Sequence, residues 1–260
     1  MTELGTVQAC WRYPVKSLQG LSVDALQLFD RGVVGDRVRA LVETVGGHLM
    51  SAKRTAALLD ASADDAGITL PDGSTVAWDD EDADARLSAW LGKDVQLSEP
   101  QPGHQLSYEM TFDPPDDEAE YFEIPAPVGT FVDLAPLHVV SRATLDGAAE
   151  LRPDLNWDVR RFRPNLVLDT EGGAFVENEW VGRSLRFSSG ATIRISQPTV
   201  RCAMPLRSQP EHAGHVALGR QPELFRAMSE LNTEYPNHVG AYVDVEVPGR
   251  VAVGDSVELV

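Results

Sequence analysis

The sequence predicts a mainly β protein with α additions, of the α+β class, built as a barrel or a sandwich. Three observations point there. Short β-rich or alternating apolar runs recur along the whole chain. Turns containing Gly, Pro and Asp separate them. Few segments carry a helical period, and there is no internal repeat or low-complexity stretch.

Taken in order, the first strand is Val7 to Trp11, and Pro14, which lacks an N–H, marks its exit into Tyr13-Pro14-Val15-Lys16-Ser17. Val23 to Leu28 alternates as a second strand. Turns at Asp30-Arg31-Gly32 and Gly35-Asp36-Arg37 precede a third, Val38 to Val42. Gly46-Gly47 predicts a hairpin into His48–Arg54, and Pro71-Asp72-Gly73 another between Ile68–Leu70 and Thr75–Trp78. The first helix lies within Asp82–Leu91, with Leu87, Trp90 and Leu91 on one face and Gly92 as its stop. Residues 98–127 are Pro-rich and hold the acidic run Asp113 to Glu120. They predict a linker or long surface excursion between two halves.

The second half opens with the strand Leu137 to Val140. Ser141 caps a helix reaching about Leu151, which Pro153 ends. Strands follow at Leu166–Leu168, Ser184–Phe187 and Ile193–Ile195. Pro222 opens a helix over Glu223–Leu231, with Leu224, Phe225, Met228 and Leu231 inward. Ala241–Val247 and Val251–Val260 read as a closing hairpin-like pair.

The chain has 260 residues, enough for one large domain or two ordinary ones. With 22 Lys and Arg against 40 Asp and Glu, its net charge is −18, which argues against nucleic acid and anionic membranes as partners. An anionic ligand must therefore meet a local basic pocket. Met1-Thr2-Glu3-Leu4-Gly5 lacks the basic and apolar regions of a signal peptide, and no apolar run is long enough to span a bilayer. A cytoplasmic protein with reduced thiols is expected.

Chemistry centres on the run Ile193 to Pro205, where a strand ends beside Arg201-Cys202. A thiol next to a guanidinium favours its thiolate, the form that attacks electrophiles or binds metals. A free cysteine can equally be a small apolar residue closing a strand. Cys10 is the other cysteine, without CxxC or zinc spacing. Cations cluster at three strand exits: Lys16-Ser17, Asp36-Arg37 and Arg160-Arg161-Phe162-Arg163-Pro164-Asn165. Each alone could be a surface salt bridge. Together with Cys202 they describe a pocket for a phosphorylated ligand beside a soft ligand atom. Nucleotide-binding glycine loops, GxSxG and HExxH are absent. His212 and His215 read as solvated loop histidines, and His48, His104, His138 and His238 receive no role.

Tyr13-Pro14-Val15-Lys16-Ser17, Gly35-Asp36-Arg37, Arg161-Phe162-Arg163-Pro164-Asn165, Arg201-Cys202 and the closing Gly249-x-Val251-x-Val253-Gly254-Asp255 resemble a MOSC protein in motif and order. The resemblance implies a MOSC N-terminal β-barrel domain, with the acidic linker at its end, over residues 1–120. A MOSC β-barrel domain over 121–260 would follow. It implies the molybdenum cofactor (molybdopterin with Mo) between the two, as in the mitochondrial amidoxime reducing component and bacterial reductases of N-hydroxylated compounds. Cys202 would ligate the metal and be catalytic. Lys16, Ser17 and Arg37 would hold the cofactor from the first domain, Arg163 and Asn165 from the second. Ser141 falls where the family often has a cofactor-contacting hydroxyl, or is a helix cap.

A molybdenum-dependent oxidoreductase acting on a small N-hydroxylated or N-oxide substrate is then expected, with electrons from a separate donor protein. Departures from the reductase branch are Val200, in place of a hydroxyl, and Ala203-Met204-Pro205-Leu206-Arg207-Ser208, in place of a Thr-rich segment with an Asp. Pyridoxal phosphate is a family association only, since no sulfurase domain is present. A carrier of the cofactor or of sulfur on Cys202, or a ligand-binding barrel without cofactor, remain the alternatives.

Overall fold

A computed structural model describes residues 2–116 and 118–260; Met1, and Asp117 of the acidic run, lie outside the described residues. Seven strands close a barrel: β1 (Thr2–Arg12), β2 (Leu137–Ser141), β3 (Leu166–Thr170), β4 (Ser184–Phe187), β5 (Thr192–Val200), β6 (His238–Val247) and β7 (Ser256–Leu259). Around the barrel they run β3-β2-β6-β5-β4-β7-β1, and β1 pairs back onto β3. Only β2–β3 is parallel. That crossover carries α2 (Arg142–Leu151) and α3 (Val159–Phe162) on the outside, as a parallel connection requires. Inward positions such as Val7, Cys10, Val139, Leu168, Ile193, Ile195 and Val243 fill the interior. Each large side chain so buried contributes about 1.5–3 kcal/mol.

The first strand therefore belongs to the second half's barrel, and a division at residue 120 is crossed by β1. Short strands Ala25–Phe29 and Gly32–Val33 also lean on that half, through pairing of Ala25–Phe29 with Gly249–Ala252. The expected closing hairpin does not form. Gly249–Ala252 pairs with Ala25–Phe29, and β7 pairs with β1 and β4, because the Gly254-Asp255 turn sends the chain to a different edge.

The rest of the first half is made of small sheets, Ala40–Glu43 with Val95–Ser98 and the three strands Ser62–Ala63, Gly67–Thr69 and Thr75–Ala77. Helix α1 (Ala83–Leu91) seals them with Leu87 and ends at Gly92, whose φ of 64° closes the helix as read from sequence. The stretch read as a linker or long surface excursion has structure of its own. Ser107–Met110 and Phe122–Pro125 form a hairpin, and Tyr108, 2% exposed, packs into the core. The described acidic residues Asp113, Asp116, Glu118 and Glu120 lie between its two strands. Ser141 caps α2, accepting from the Ala143 N–H, and α4 (Glu223–Leu231) buries Leu224 and Met228. Among the described residues, no helix is long and apolar enough to cross a membrane.

Candidate active site

The exit of β1 is strapped to the segment 36–39. The Lys16 N–H donates to Arg39 O, the Arg39 N–H to Pro14 O, and the Arg37 N–H to Tyr13 O. Lys16, Ser17 and Arg37 are thereby held at one level. From the other half, α3 ends at Arg163, whose N–H donates to Val159 O. Beyond β5, Arg201 and Cys202 are clamped by Asn237: Arg201 N–H donates to Asn237 O, and Asn237 Nδ2 to Arg201 O. These pieces meet in one cleft of ≈ 90 Å³, lined by Lys16, Ser17, Arg37, Arg163, Asn165 and Cys202 together. Six of the seven site residues read from sequence thus converge from both halves. Ser141 does not; it is fully buried, capping α2 and bonded to Thr170 Oγ1 at 2.7 Å.

The backbone at this cleft is unusual. Ser17, Arg37 and Arg163 have φ of 69°, 49° and 53°, in the left-handed region that costs a side-chain-bearing residue about 1–2 kcal/mol. Arg163 sits at a helix C-terminus, where Gly or Asn is the usual choice.

Sequence reasoning missed much of the wall. Asp133 lines the cleft and joins two buried lysines: its Oδ1 is 2.5 Å from Lys16 Nζ, its Oδ2 2.8 Å from Lys53 Nζ. Lys53 lies over the Tyr108 ring at 4.0 Å. Burial works against ionised Asp133, yet Lys16 and Lys53 hold its carboxyl well below the usual range. Burial also works against Lys53, but Asp133 and then Cys202 outweigh it and raise its pKa. For Lys16, burial dominates and lowers it despite Asp133, with Lys53 adding to the drop. Two ammonium groups share one carboxylate here, and Lys16 is the one easier to discharge. A signal existed in Lys53-Arg54, a cation pair in an otherwise acidic chain.

His138 is the other omission. Its Nε2 lies 2.5 Å from Arg201 Nη2. A guanidinium only donates, so the imidazole accepts there and is neutral. Burial, then Arg201, push its pKa well below the ordinary value. Arg201 also donates to Phe162 O at 3.0 Å and to Val239 O, so it is fixed while keeping its charge. Gly240, with φ 71°, makes room: a Cβ there would meet His138 Nε2 at 2.4 Å.

The amide of Asn165 is already used. It accepts from His138 N–H at 3.3 Å and donates to Trp11 O at 3.3 Å, latching β1 to β2. Ser17 Oγ accepts from Ala52 N–H at 3.1 Å, which leaves its proton available. Three cleft-lining residues bear buried polar atoms without a partner: Arg161 Nε, Arg163 Nη2 and Thr199 Oγ1. Thr199, one residue before the exposed Val200, brings a hydroxyl to the cleft, next to the position where one was expected. Cys202 is half-buried and unpaired with Cys10, whose thiol burial pushes up to about 12.

Five cations and one carboxylate line the cleft, in a chain of net charge −18. The fold and cleft together define a β-barrel protein with a cation-rich cleft and one accessible thiol. Sequence comparison carries this to a family. The MOSC domain model matches residues 127–258 and the MOSC N-terminal beta barrel domain model residues 4–94. The chain belongs to the MOSC domain family, which is associated with binding of the molybdenum cofactor. No curated protein is significantly similar in sequence. Among solved structures, the YUAD protein from Bacillus subtilis is similar at 12% identity and TM-score 0.45, over 98% of this chain and 94% of that one. YiiM from Geobacillus stearothermophilus is similar at 17% identity and TM-score 0.35, over 48% of this chain and 54% of that one. Likenesses this distant carry no argument about function.

Proposed function

We propose that the chain is a molybdenum cofactor-binding oxidoreductase that reduces small N-hydroxylated or N-oxide compounds, with Cys202 as the protein's ligand to the metal. The observation that carries this reading is the convergence of Lys16, Ser17, Arg37, Arg163 and Cys202, from both halves, on one cleft. The residues fit the cofactor. Arg163 Nη2 and Thr199 Oγ1 are buried and lack the acceptors that a phosphate or pterin would bring. Among the described residues no three His, Cys, Asp or Glu side chains could hold a metal, so a metal at Cys202 must arrive with its other ligands.

Bound there, the cofactor would supply a two-electron redox centre able to accept an oxygen atom from nitrogen. The chain's own part is electrostatic and positional. Arg37, Arg163 and Lys16 offset the phosphate, in a site where burial strengthens each attraction. Arg201, locked by His138 and Phe162 O, keeps a fixed positive charge beside Cys202. Removing oxygen from N–OH releases water and consumes protons. Lys16, whose charge burial disfavours, is the group best placed in energy to give one. Electrons would come from a separate donor protein.

The test is purification from a host that makes the cofactor, followed by elemental analysis and pterin fluorescence. About one molybdenum per chain, lost in Cys202→Ser, and reduction of a hydroxylamine or amidoxime by a strong reductant are expected. Loaded protein that turns over none of these substrates, or chain free of molybdenum, would overturn the reading. A persulfide on Cys202 without turnover would favour a sulfur carrier.

A further inference from the structure

Bordering the cleft at Arg163 lies a second cavity, of 230 Å³. Lys16, Arg37 and Cys202 do not line it, so it stands apart from the reading above. No Asp or Glu lines it either. Two of its lining residues that the cleft does not share are more than nine-tenths buried and bear an N–H without a partner: Trp11 Nε1 and Arg160 Nη1, each on a residue 6% exposed. A buried donor left unpaired costs about 1–3 kcal/mol, more when charged. Two such donors on residues that line one cavity therefore point to an acceptor that belongs there.

Two imidazoles complete the wall. His212 and His215 close a tight turn, with paired backbone bonds of 3.1 and 2.9 Å. Ala213 and Gly214 hold φ of 50° and 80° between them. Directly opposed residues in such a ribbon project to the same side, and both line the cavity. The His215 ring lies 5.6 Å from that of Trp11. These histidines are thus not merely solvated. Arg160 is pinned by Asp158 at 2.8 Å and by Val216 O at 2.9 Å, which orients its fork and leaves Nη1 over.

We propose that this cavity binds a small phosphate-type oxyanion through Trp11, Arg160 and the His212–His215 turn. The donors come from three segments of chain, which suits an anion with acceptors on several sides. The free ion and the phosphate end of a small molecule share this chemistry. Arg163, which borders both cavities, would then feel an anion on either face.

The experiment titrates the protein with inorganic phosphate and, separately, with phenyl phosphate, reading the indole N–H signals by two-dimensional NMR. Trp11→Phe assigns the Trp11 signal. A saturable shift of that signal is expected. Its appearance with inorganic phosphate identifies the free ion; its appearance with phenyl phosphate alone identifies a phosphorylated molecule. Affinity should fall about tenfold or more in His215→Ala and in Arg160→Gln, and persist in the double variant Lys16→Met, Arg37→Gln. His215, half-buried on a turn, carries the test if Arg160→Gln fails to fold. No shift of the Trp11 signal with either probe, or binding lost in the Lys16, Arg37 double variant but kept in His215→Ala, would overturn the proposal.

Discussion

The guanidinium carbon of Arg163 lies 4.1 Å from the centre of the Tyr13 ring, and the backbone that puts it there has a φ of 53°. Arg37 approaches the same ring at 4.8 Å, also from a left-handed residue. The strain and the placement are one event: a relaxed backbone would aim both cations elsewhere. Burial lowers the pKa of Arg163. A guanidinium nonetheless stays charged, so the cost is carried in stability.

Arg163→Ala and Arg163→Gly both delete the cation, but only Gly relieves the backbone. Arg163→Gly should therefore be more stable than Arg163→Ala by about 1 kcal/mol, measured by urea denaturation. Equal stabilities would show that no strain is held at this position.

Asp133→Asn leaves Lys16 and Lys53 facing each other without a counter-charge. A fully buried pair loses about 3–5 kcal/mol when one partner goes. Asp133 is 32% exposed, so solvent screening reduces the expected loss to about 2 kcal/mol. Added phosphate should restore more stability to this variant than to the parent, because the first cleft has gained net positive charge. Thermal melts with and without phosphate read both effects.

His138 is neutral in the fold, with its pKa held well below 6.5. Unfolded, it takes up a proton as the pH falls through 6.5. The unfolded state then binds more protons than the folded one, so stability falls on acidification below that pH, by up to about 1.4 kcal/mol per pH unit. Above pH 6.5 the residue contributes no slope. His138→Gln should flatten the stability profile between pH 5 and 6.5. Glu177, whose pKa burial raises, acts with the opposite sign from pH 4.5 upward and is present in both proteins. An unchanged slope would show His138 to be protonated in the fold.

Gly240→Ala would place a Cβ 2.4 Å from His138 Nε2 and 2.5 Å from Val139 O, at a φ of 71°. Backbone cannot yield as a flexible side chain can. A loss of about 3 kcal/mol is expected, with release of the Arg201 fork. A Tm within a degree or two of the parent would count against the tight fit.

Strand existence was readable because the signal is local: β4 falls where period-two alternation predicts it, and β1 and β2 where short apolar runs do. Pairing was not. That β1 closes a barrel with β3 and β7 depends on contacts across most of the chain, which no local run encodes. The same divide runs through the site. Lys16, Arg37, Arg163 and Cys202 stand in motifs with a recognisable order. Asp133, Lys53 and His138 stand in loops and strands without such a mark, and matter only because the fold sets them beside the others. The hairpin of Tyr108 hid behind the prolines and acids that flank it.

The barrel closed by β1 also constrains how the molecule is made. On the ribosome this strand emerges long before β7, its neighbour on one side, which lies about 250 residues further along the chain. Until then an apolar ribbon with open backbone groups on both edges must wait in solution. Synthesis at reduced speed should lengthen that wait and raise the burden on chaperones, whereas a circular permutant joining β7 directly to β1 would shorten it.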